Sequence, residues 1–133
     1  MKATHDIASY IPQRPPFIFI DTIDAVNETM ARTRYTITQD NPLVTENILP
    51  LAGLIENIAQ TCAVRMGHMA GNKIGYIGAI KTIETRLLPC VGQTIVTEVR
   101  VVQEVMNICM MECTTYLGVE EIASATLKLA TIE

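Results

Sequence analysis

The 133-residue sequence contains no tryptophan, only two phenylalanines and only two histidines. Few positions can therefore supply an aromatic ring for stacking or an imidazole for catalysis or metal binding. Its ten lysines and arginines form no cluster and are outnumbered by fourteen acidic residues, which argues against nucleic-acid binding. No apolar run approaches the ~20 residues of a membrane-spanning helix, and the N-terminus lacks the apolar core of a signal peptide. We therefore expect a cytoplasmic protein that binds neither nucleic acid nor membrane.

Four cysteines are present, and no two of them form a C-x-x-C pair: Cys62, Cys90, Cys109 and Cys113. On one face of a strand, Cys109 and Cys113 would lie ~13 Å apart, which is too far for a disulfide. We expect four small buried thiols. Because histidines are also few, we expect no metal site.

Hydrophobic residues make up 49% of the chain, enough to fill the core of a single domain over residues 1–133. A helix is predicted from Leu51 to Ala70, because apolar side chains recur at the spacing of one helical face. The opposite face is hardly more polar, which is typical of a buried helix. Gly71 and Asn72 supply its stop signal.

Alternating polar and apolar residues predict strands on both sides of this helix. The predicted strands are Phe17–Asp24, Met30–Gln39, Gly75–Arg86, Thr94–Val105, Asn107–Tyr116 and Ile122–Ala130. Turns are predicted at Asn27–Glu28 and Gly118, a loop between Asp40 and Pro50, and a meander for the last four strands. An α+β arrangement, in which an antiparallel sheet of five to six strands wraps around one long buried helix, satisfies both patterns. This is the hotdog fold.

Glu56 is the one carboxylate in the predicted helix, and Gln60 follows four residues later on the same stripe. Desolvation raises the pKa of a buried carboxyl, so such a group can act as a general acid or base near neutral pH. The alternative is a structural carboxyl that is bonded to Gln60 or to the backbone. The helix alone is compatible with both.

Two segments carry a family resemblance. Residues 11–21, I-P-Q-R-P-P-F-I-F-I-D, resemble the pattern L-P-H-R-x-P-F-L-L-V-D, and residues 50–60, P-L-A-G-L-I-E-N-I-A-Q, resemble P-G-V-L-x-x-E-A-x-A-Q. Both patterns belong to the 3-hydroxyacyl-[acyl-carrier-protein] dehydratases of fatty-acid synthesis. Residues 78–92 resemble the strand and the basic, proline-containing turn that follow in that family. The resemblance spans nearly the whole chain and implies the hotdog fold.

The resemblance also implies a reaction. In that family, a carboxylic acid at the position of Glu56 assists departure of the 3-hydroxyl as water, while a histidine of the partner subunit removes the proton next to the thioester carbonyl. A backbone N–H at the helix start polarises that carbonyl, which makes Gly53 the candidate here. Gln60 is a further candidate beside the carboxyl. The acyl chain is carried by the phosphopantetheine of acyl carrier protein or by CoA, so no other cofactor is implied.

The sequence departs from the family where the histidine is expected. The family's G-H-F-P-G-x-P-x-x-P loop is replaced at 41–50 by N-P-L-V-T-E-N-I-L-P, which puts Pro42 at the histidine position. His68 would lie ~18 Å from Glu56 along the helix axis, and His5 belongs to the N-terminal segment. Neither is expected to replace the missing base within one chain.

Other polar residues are candidates for supporting roles. Within the altered loop, Glu46 is a candidate second carboxylate and Asn47 a candidate hydrogen-bond donor to the substrate. Three basic residues are candidates for contacting the carrier's phosphate, although scattered basic residues are commonly ordinary surface: Arg65, Lys81 and Arg86.

Three functions therefore stay open. The first is a dehydratase of fatty-acid or polyketide-type lipid synthesis centred on Glu56, acting alone or in a mixed dimer with a homologue that supplies the histidine. The second is an acyl-CoA or acyl-carrier-protein thioesterase, because some hotdog thioesterases use one helix carboxylate and need no histidine. The third is a non-catalytic subunit that binds an acyl carrier. The resemblance further implies a homodimer or higher homo-oligomer that pairs through the strand near Tyr76–Ile83.

Overall fold

The computed structural model describes residues 6–70 and 74–132, which form one antiparallel sheet and one long helix. After a 3-10 turn at Ile7–Ser9, the elements are β1 (Thr22–Val26), β2 (Met30–Thr36), α1 (Leu51–Ala70), β3 (Ile74–Thr85), β4 (Thr94–Val105), β5 (Ile108–Leu117) and β6 (Glu120–Ile132). The predicted hotdog fold is confirmed. Within these residues, no helix is both long and apolar enough to cross a membrane.

The strands lie in the order β1-β2-β4-β5-β6-β3, and each neighbouring pair is antiparallel. The predicted meander is correct for β4, β5 and β6 but wrong for β3, which pairs with β6 instead of β4. A 20-residue helix is about 30 Å long and carries the chain across the sheet to its far side. As a result, β1 and β3 are the two edge strands. The predicted helix stop at Gly71–Asn72 lies outside the described residues.

One face of the sheet packs against α1. Ile95, Thr97 and Val99 of β4 are buried while the residues between them are partly exposed, as the period of two requires. From the helix, Leu54 and Ile58 are at most 1% exposed. The apolar spacing that predicted the helix therefore also identified the residues that fill the core.

Buried hydroxyls fix the helix against the sheet. Thr61 Oγ1 lies 2.8 Å from Thr33 Oγ1 on β2, and Asn57 Oδ1 accepts a hydrogen bond of 2.6 Å from Thr97 Oγ1 on β4. Thr97 in turn lies 2.9 Å from Thr115 Oγ1 on β5. Because each of these buried groups has a partner, the ladder sets the position of α1 without leaving unsatisfied polar atoms.

Arg65 fixes the second half of the helix. Its side chain is 2% exposed and donates to both carboxylate oxygens of Glu104, at 2.9 and 3.0 Å, and to the Glu28 carbonyl. These bonds hold the pKa of Glu104 below its ordinary value. The prediction that Arg65 contacts a carrier's phosphate is wrong, because the guanidinium is buried and already paired.

Three of the four cysteines are buried, and one is not. Cys62 Sγ lies 3.7 Å from Cys113 Sγ, and this contact together with burial raises the pKa of Cys62 well above its ordinary value. Cys109 is buried separately, and burial raises its pKa. Cys90 is exposed, so the prediction of four buried thiols is wrong there: its backbone N–H donates to Gln93, while its side chain faces outward.

Candidate active site

Glu56 lies in the second turn of α1 and is half-buried. Its Oε2 accepts a hydrogen bond of 2.8 Å from Gln60 Nε2 and a longer one, of 3.4 Å, from Gln13 Nε2. Among the described residues, no charged side chain bonds to this carboxylate, and no hydrogen bond reaches Oε1. Two neutral amides therefore hold the carboxylate by Oε2, and Oε1 accepts no hydrogen bond from the residues that the structure describes.

Gln60 ties the first segment of the chain to the helix. It is fully buried; its Oε1 accepts from the Phe19 N–H at 2.8 Å, and its Nε2 donates to the Phe17 carbonyl at 2.8 Å. Asn57 Nδ2 donates to the Phe19 carbonyl at 2.8 Å. Both backbone groups of Phe19 are thus bonded to helix side chains. This explains why the predicted strand that begins at Phe17 starts only at Thr22.

Gln13 is a site residue that sequence reasoning did not identify. The Arg14 guanidinium donates to the carbonyls of Ile11 and Gln13, at 2.9 and 2.7 Å, and Ile11 is buried in the core. This bonding shapes the proline-rich segment so that Gln13 reaches Glu56. The available signal was its position in the motif of residues 11–21, where the resembled family carries a histidine.

Gly53 lies at the helix start, as predicted, but its amide is occupied. Its N–H donates to the Pro50 carbonyl at 2.9 Å, and the Leu54 N–H donates to the same oxygen at 3.1 Å. A Cβ on Gly53 would lie 2.8 Å from Cγ of Leu49, which is fully buried. Packing against Leu49 thus explains the glycine, while a role of its N–H toward a thioester stays a prediction.

The altered loop ends in a tight hairpin. Thr45 and Ile48 exchange two backbone hydrogen bonds of 3.0 Å, and the two residues between them, Glu46 and Asn47, have φ of +52° and +67°. Such a pair of positive φ values is typical of a two-residue hairpin turn. Both side chains are exposed, and Asn47 Oδ1 accepts from Gln39 Nε2. Neither residue is hydrogen-bonded to the helix carboxylate, so their roles toward a substrate also stay predictions.

The remaining predicted residues lie apart from the carboxylate. Lys81 is exposed on β3, and Arg86 is exposed just beyond it, 3.4 Å from a carboxylate oxygen of Glu121. His68 is exposed at the opposite end of the helix, where it lines a shallow depression beside the β1–β2 turn. His5 lies outside the described residues. Nowhere in residues 6–70 or 74–132 do three or more potential ligand side chains assemble to hold a metal ion.

Large apolar side chains are exposed at the carboxylate's end of the helix. Phe17, whose carbonyl is bonded to Gln60, is 53% exposed, and Leu51, the first helical residue, is 41% exposed. Ile48, in the hairpin that precedes the helix, is 39% exposed. In a single chain, the segments around the first half of α1 thus present apolar surface to solvent.

Comparison with known proteins agrees with this architecture. The chain is 27% identical over 135 residues to the 3-hydroxyacyl-[acyl-carrier-protein] dehydratase FabZ of Levilactobacillus brevis, covering 92% of this chain and 88% of that protein. It is 23% identical over 133 residues to FabZ of Wolbachia sp. subsp. Brugia malayi, covering 92% and 91%. A solved structure, the dehydratase heterocomplex ApeI:P from Xenorhabdus doucetiae, matches with a TM-score of 0.87 at 14% identity, over 96% of this chain and 91% of that chain.

The structural match at such low identity concerns the fold alone, whereas a family model covers nearly the whole sequence. The model for ApeP-like proteins, described as ApeP dehydratase, matches residues 5–133. The chain belongs to the ApeP-like dehydratase family.

Proposed function

We propose that this protein takes part in the dehydration of 3-hydroxyacyl thioesters carried by acyl carrier protein, with Glu56 as the acid that protonates the leaving hydroxyl. The observation that carries the proposal is a single carboxylate, held by two amides, in the first half of a largely buried helix. Membership of a dehydratase family supports it. The named substrate of the FabZ relatives, a 3-hydroxyacyl group on acyl carrier protein, supports the substrate class.

The chemistry needs one acid and one base. A base takes the proton from C2, the electrons of that C–H bond form the C2=C3 double bond, and the C3–O bond breaks. The departing oxygen takes a proton from the carboxylic acid and leaves as water. Positioned acids and bases contribute ~10²–10⁴ each to such a rate. Because no histidine or second carboxylate among the described residues bonds to Glu56, one chain supplies the acid but lacks an evident base.

We therefore infer that a homologous, histidine-bearing subunit completes the site. Pro42 occupies the position at which the resembled family carries the histidine, and the tight hairpin begins three residues later, at Thr45. A structural relative is itself a dehydratase heterocomplex, which supports pairing of unlike subunits.

The surface of the chain also supports a paired state. β3 is an edge strand, so one row of its backbone N–H and C=O groups is available to a second sheet. The predicted contact strand, near Tyr76–Ile83, falls within it. The exposed apolar side chains of Phe17, Ile48 and Leu51 are suited to be covered by a second subunit or by the acyl chain.

The test is mass spectrometry of a 3-hydroxyacyl-carrier-protein after incubation with this chain, alone and with a histidine-bearing homologue from the same host. We expect a product lighter by one water with the pair, and a loss of at least ~10²-fold in rate for Glu56→Gln. Glu112→Gln, at an exposed position of β5, is the matched control and should retain activity. Release of free acid would instead make the protein a thioesterase, and an unchanged substrate under all conditions would leave the non-catalytic role.

A further inference from the structure

Both amides that hold Glu56 bond to the same oxygen. Gln60 and Gln13 donate to Oε2, at 2.8 and 3.4 Å, and within the described ranges Oε1 receives no hydrogen bond. An oxygen that accepts two N–H donors has its lone pairs engaged. When the carboxyl is protonated, the proton is therefore expected on Oε1.

The segment that carries Gln13 is itself fixed. Ile11 is buried in the core, and the Arg14 guanidinium bridges the carbonyls of Ile11 and Gln13. The segment is joined to the helix again through Phe17 and Gln60. The backbone from which Gln13 reaches Glu56 is therefore fixed by these contacts, and the fold sets the distance between the Gln13 backbone and the Glu56 carboxylate.

The amide of Gln13 carries a second, independent feature. Its Oε1 is buried and has no hydrogen-bond partner among the described residues. A buried acceptor without a partner is destabilising, and an apolar side chain of similar size would avoid that loss. Turning the amide over would remove the donor from Glu56 and bury an unpaired NH₂ group instead. The presence of an amide at position 13, where an apolar side chain would avoid the unpartnered acceptor, is thus explained by the carboxylate to which it donates.

We propose that Gln13 is a positioning residue for Glu56: together with Gln60 it holds Oε2, and it thereby directs Oε1, with its proton, toward the substrate. This inference rests on the proposed role of Glu56 as the acid of the reaction. It adds a residue from outside the helix to the site, at a position where the resembled dehydratases carry histidine.

The surroundings of Glu56 make the proposal testable by substitution of Gln13. The groups bonded to the carboxylate are two neutral amides, and the charge of the adjacent Arg14 is turned toward backbone carbonyls. From β3, Lys81 and Glu84 are exposed and make no bond to Glu56. Removing the Gln13 donor therefore takes one hydrogen bond from Oε2 of Glu56 without breaking an ion pair.

The experiment compares Gln13→Met and Gln13→Glu with the wild-type chain, each in the complex with the histidine-bearing subunit. Both kcat and KM are measured, beside an NMR spectrum of the glutamate side-chain carboxyl carbons at one fixed pH, in which Glu56→Gln identifies the signal. Gln13→Met should displace the Glu56 carboxyl signal and lower kcat about 2–10-fold, because one donor hydrogen bond to Oε2 is lost. Gln13→Glu should lower kcat at least as much, because a carboxylate has no donor to offer Oε2.

Stability separates positioning from a structural role. Because Gln13→Met removes the unpartnered buried acceptor, its unfolding midpoint should equal or exceed that of the wild type, although its kcat falls. Gln103→Met, at an exposed position of β4, is the matched control and should leave the Glu56 signal and kcat unchanged. A Glu56 carboxyl signal that is the same in the wild type and in Gln13→Met would overturn the proposal. A displaced signal in a complex that never dehydrates its substrate would support the positioning and refute the proposed function.

Discussion

Gln60→Leu should separate the first segment of the chain from the helix. The substitution keeps roughly the volume of the side chain but removes three hydrogen bonds of 2.8 Å, to the Phe19 N–H, to the Phe17 carbonyl and to Glu56. Because Phe19 is 1% exposed, its N–H would be left buried without a partner. The variant should therefore be less stable than the wild type, although it buries an additional apolar side chain.

The size of the loss follows from these contacts. Each hydrogen bond contributes ~0.5–1.5 kcal/mol net, and an unpaired buried N–H costs ~1–3 kcal/mol. Burial of the leucine offsets ~1–2 kcal/mol of that loss. We expect the free energy of unfolding to fall by about 3 kcal/mol, out of a total of ~7–20 kcal/mol for a domain of this size. At ~2 cal/mol/K of unfolding entropy per residue, this corresponds to about 10 °C in Tm.

Urea-induced unfolding followed by far-ultraviolet circular dichroism measures this difference directly. Gln103→Leu, at an exposed position of β4, is the control for the same chemical change and should lie within ~0.5 kcal/mol of the wild type. If Gln60→Leu lost no more stability than this control, the reasoning that Gln60 holds residues 17–19 in place would be refuted.

Two further predictions concern the packing of α1. Gly67→Ala should lower the free energy of unfolding by about 1–2 kcal/mol, although alanine is the better helix former, because its Cβ would lie 2.6 Å from the Tyr10 carbonyl oxygen. Urea-induced unfolding measures this change in stability. Ala52→Gly, at an exposed helix position, is the control that reports the difference in helix propensity between alanine and glycine alone. If Gly67→Ala were more stable than the wild type, the close contact between residue 67 and the Tyr10 carbonyl would be contradicted. Glu104→Gln should cost about 1–2 kcal/mol at neutral pH, a figure discounted because Glu104 is 42% exposed. Arg65 lowers the folded-state pKa of Glu104, so the stabilisation is present above the unfolded-state pKa and is lost as the pH falls through the lowered folded-state pKa. The stabilities of wild type and variant should therefore converge as the pH falls below about 4.5. A stability difference that does not change with pH would show that the Arg65–Glu104 pair is not its source.

The elements that repeat a local pattern were the easiest to predict. The helix is observed from Leu51 to Ala70 and β4 from Thr94 to Val105, both as predicted, because each buries one continuous face and its period is visible in the sequence. The turn at Gly118 has a φ of +65°, a value that glycine adopts freely. Glu56 and Gln60 were paired in the prediction for the same local reason, their spacing of four residues.

Contacts between distant segments were harder to predict. The strand expected from Phe17 begins only at Thr22, because helix side chains 38 to 43 residues away bond to its backbone first. The sequence makes Arg65 a candidate for contacting a carrier's phosphate, but Glu104, 39 residues away, pairs with it instead. Neither partner could be identified from local composition, since both depend on how the helix lies on the sheet.

By itself, the sequence determined the hotdog fold, the apolar helix and the lone carboxylate within it, because periodicity and side-chain polarity are local properties of the chain. The tertiary structure decided which groups hold that carboxylate: it brings Gln13 to Glu56 across 43 residues and places both amides on one oxygen. It also decided that β3 becomes an edge strand. These outcomes follow from the direction in which the helix crosses the sheet. That direction depends on the packing of the helix against all its neighbours, so it cannot be read from any single segment of the sequence.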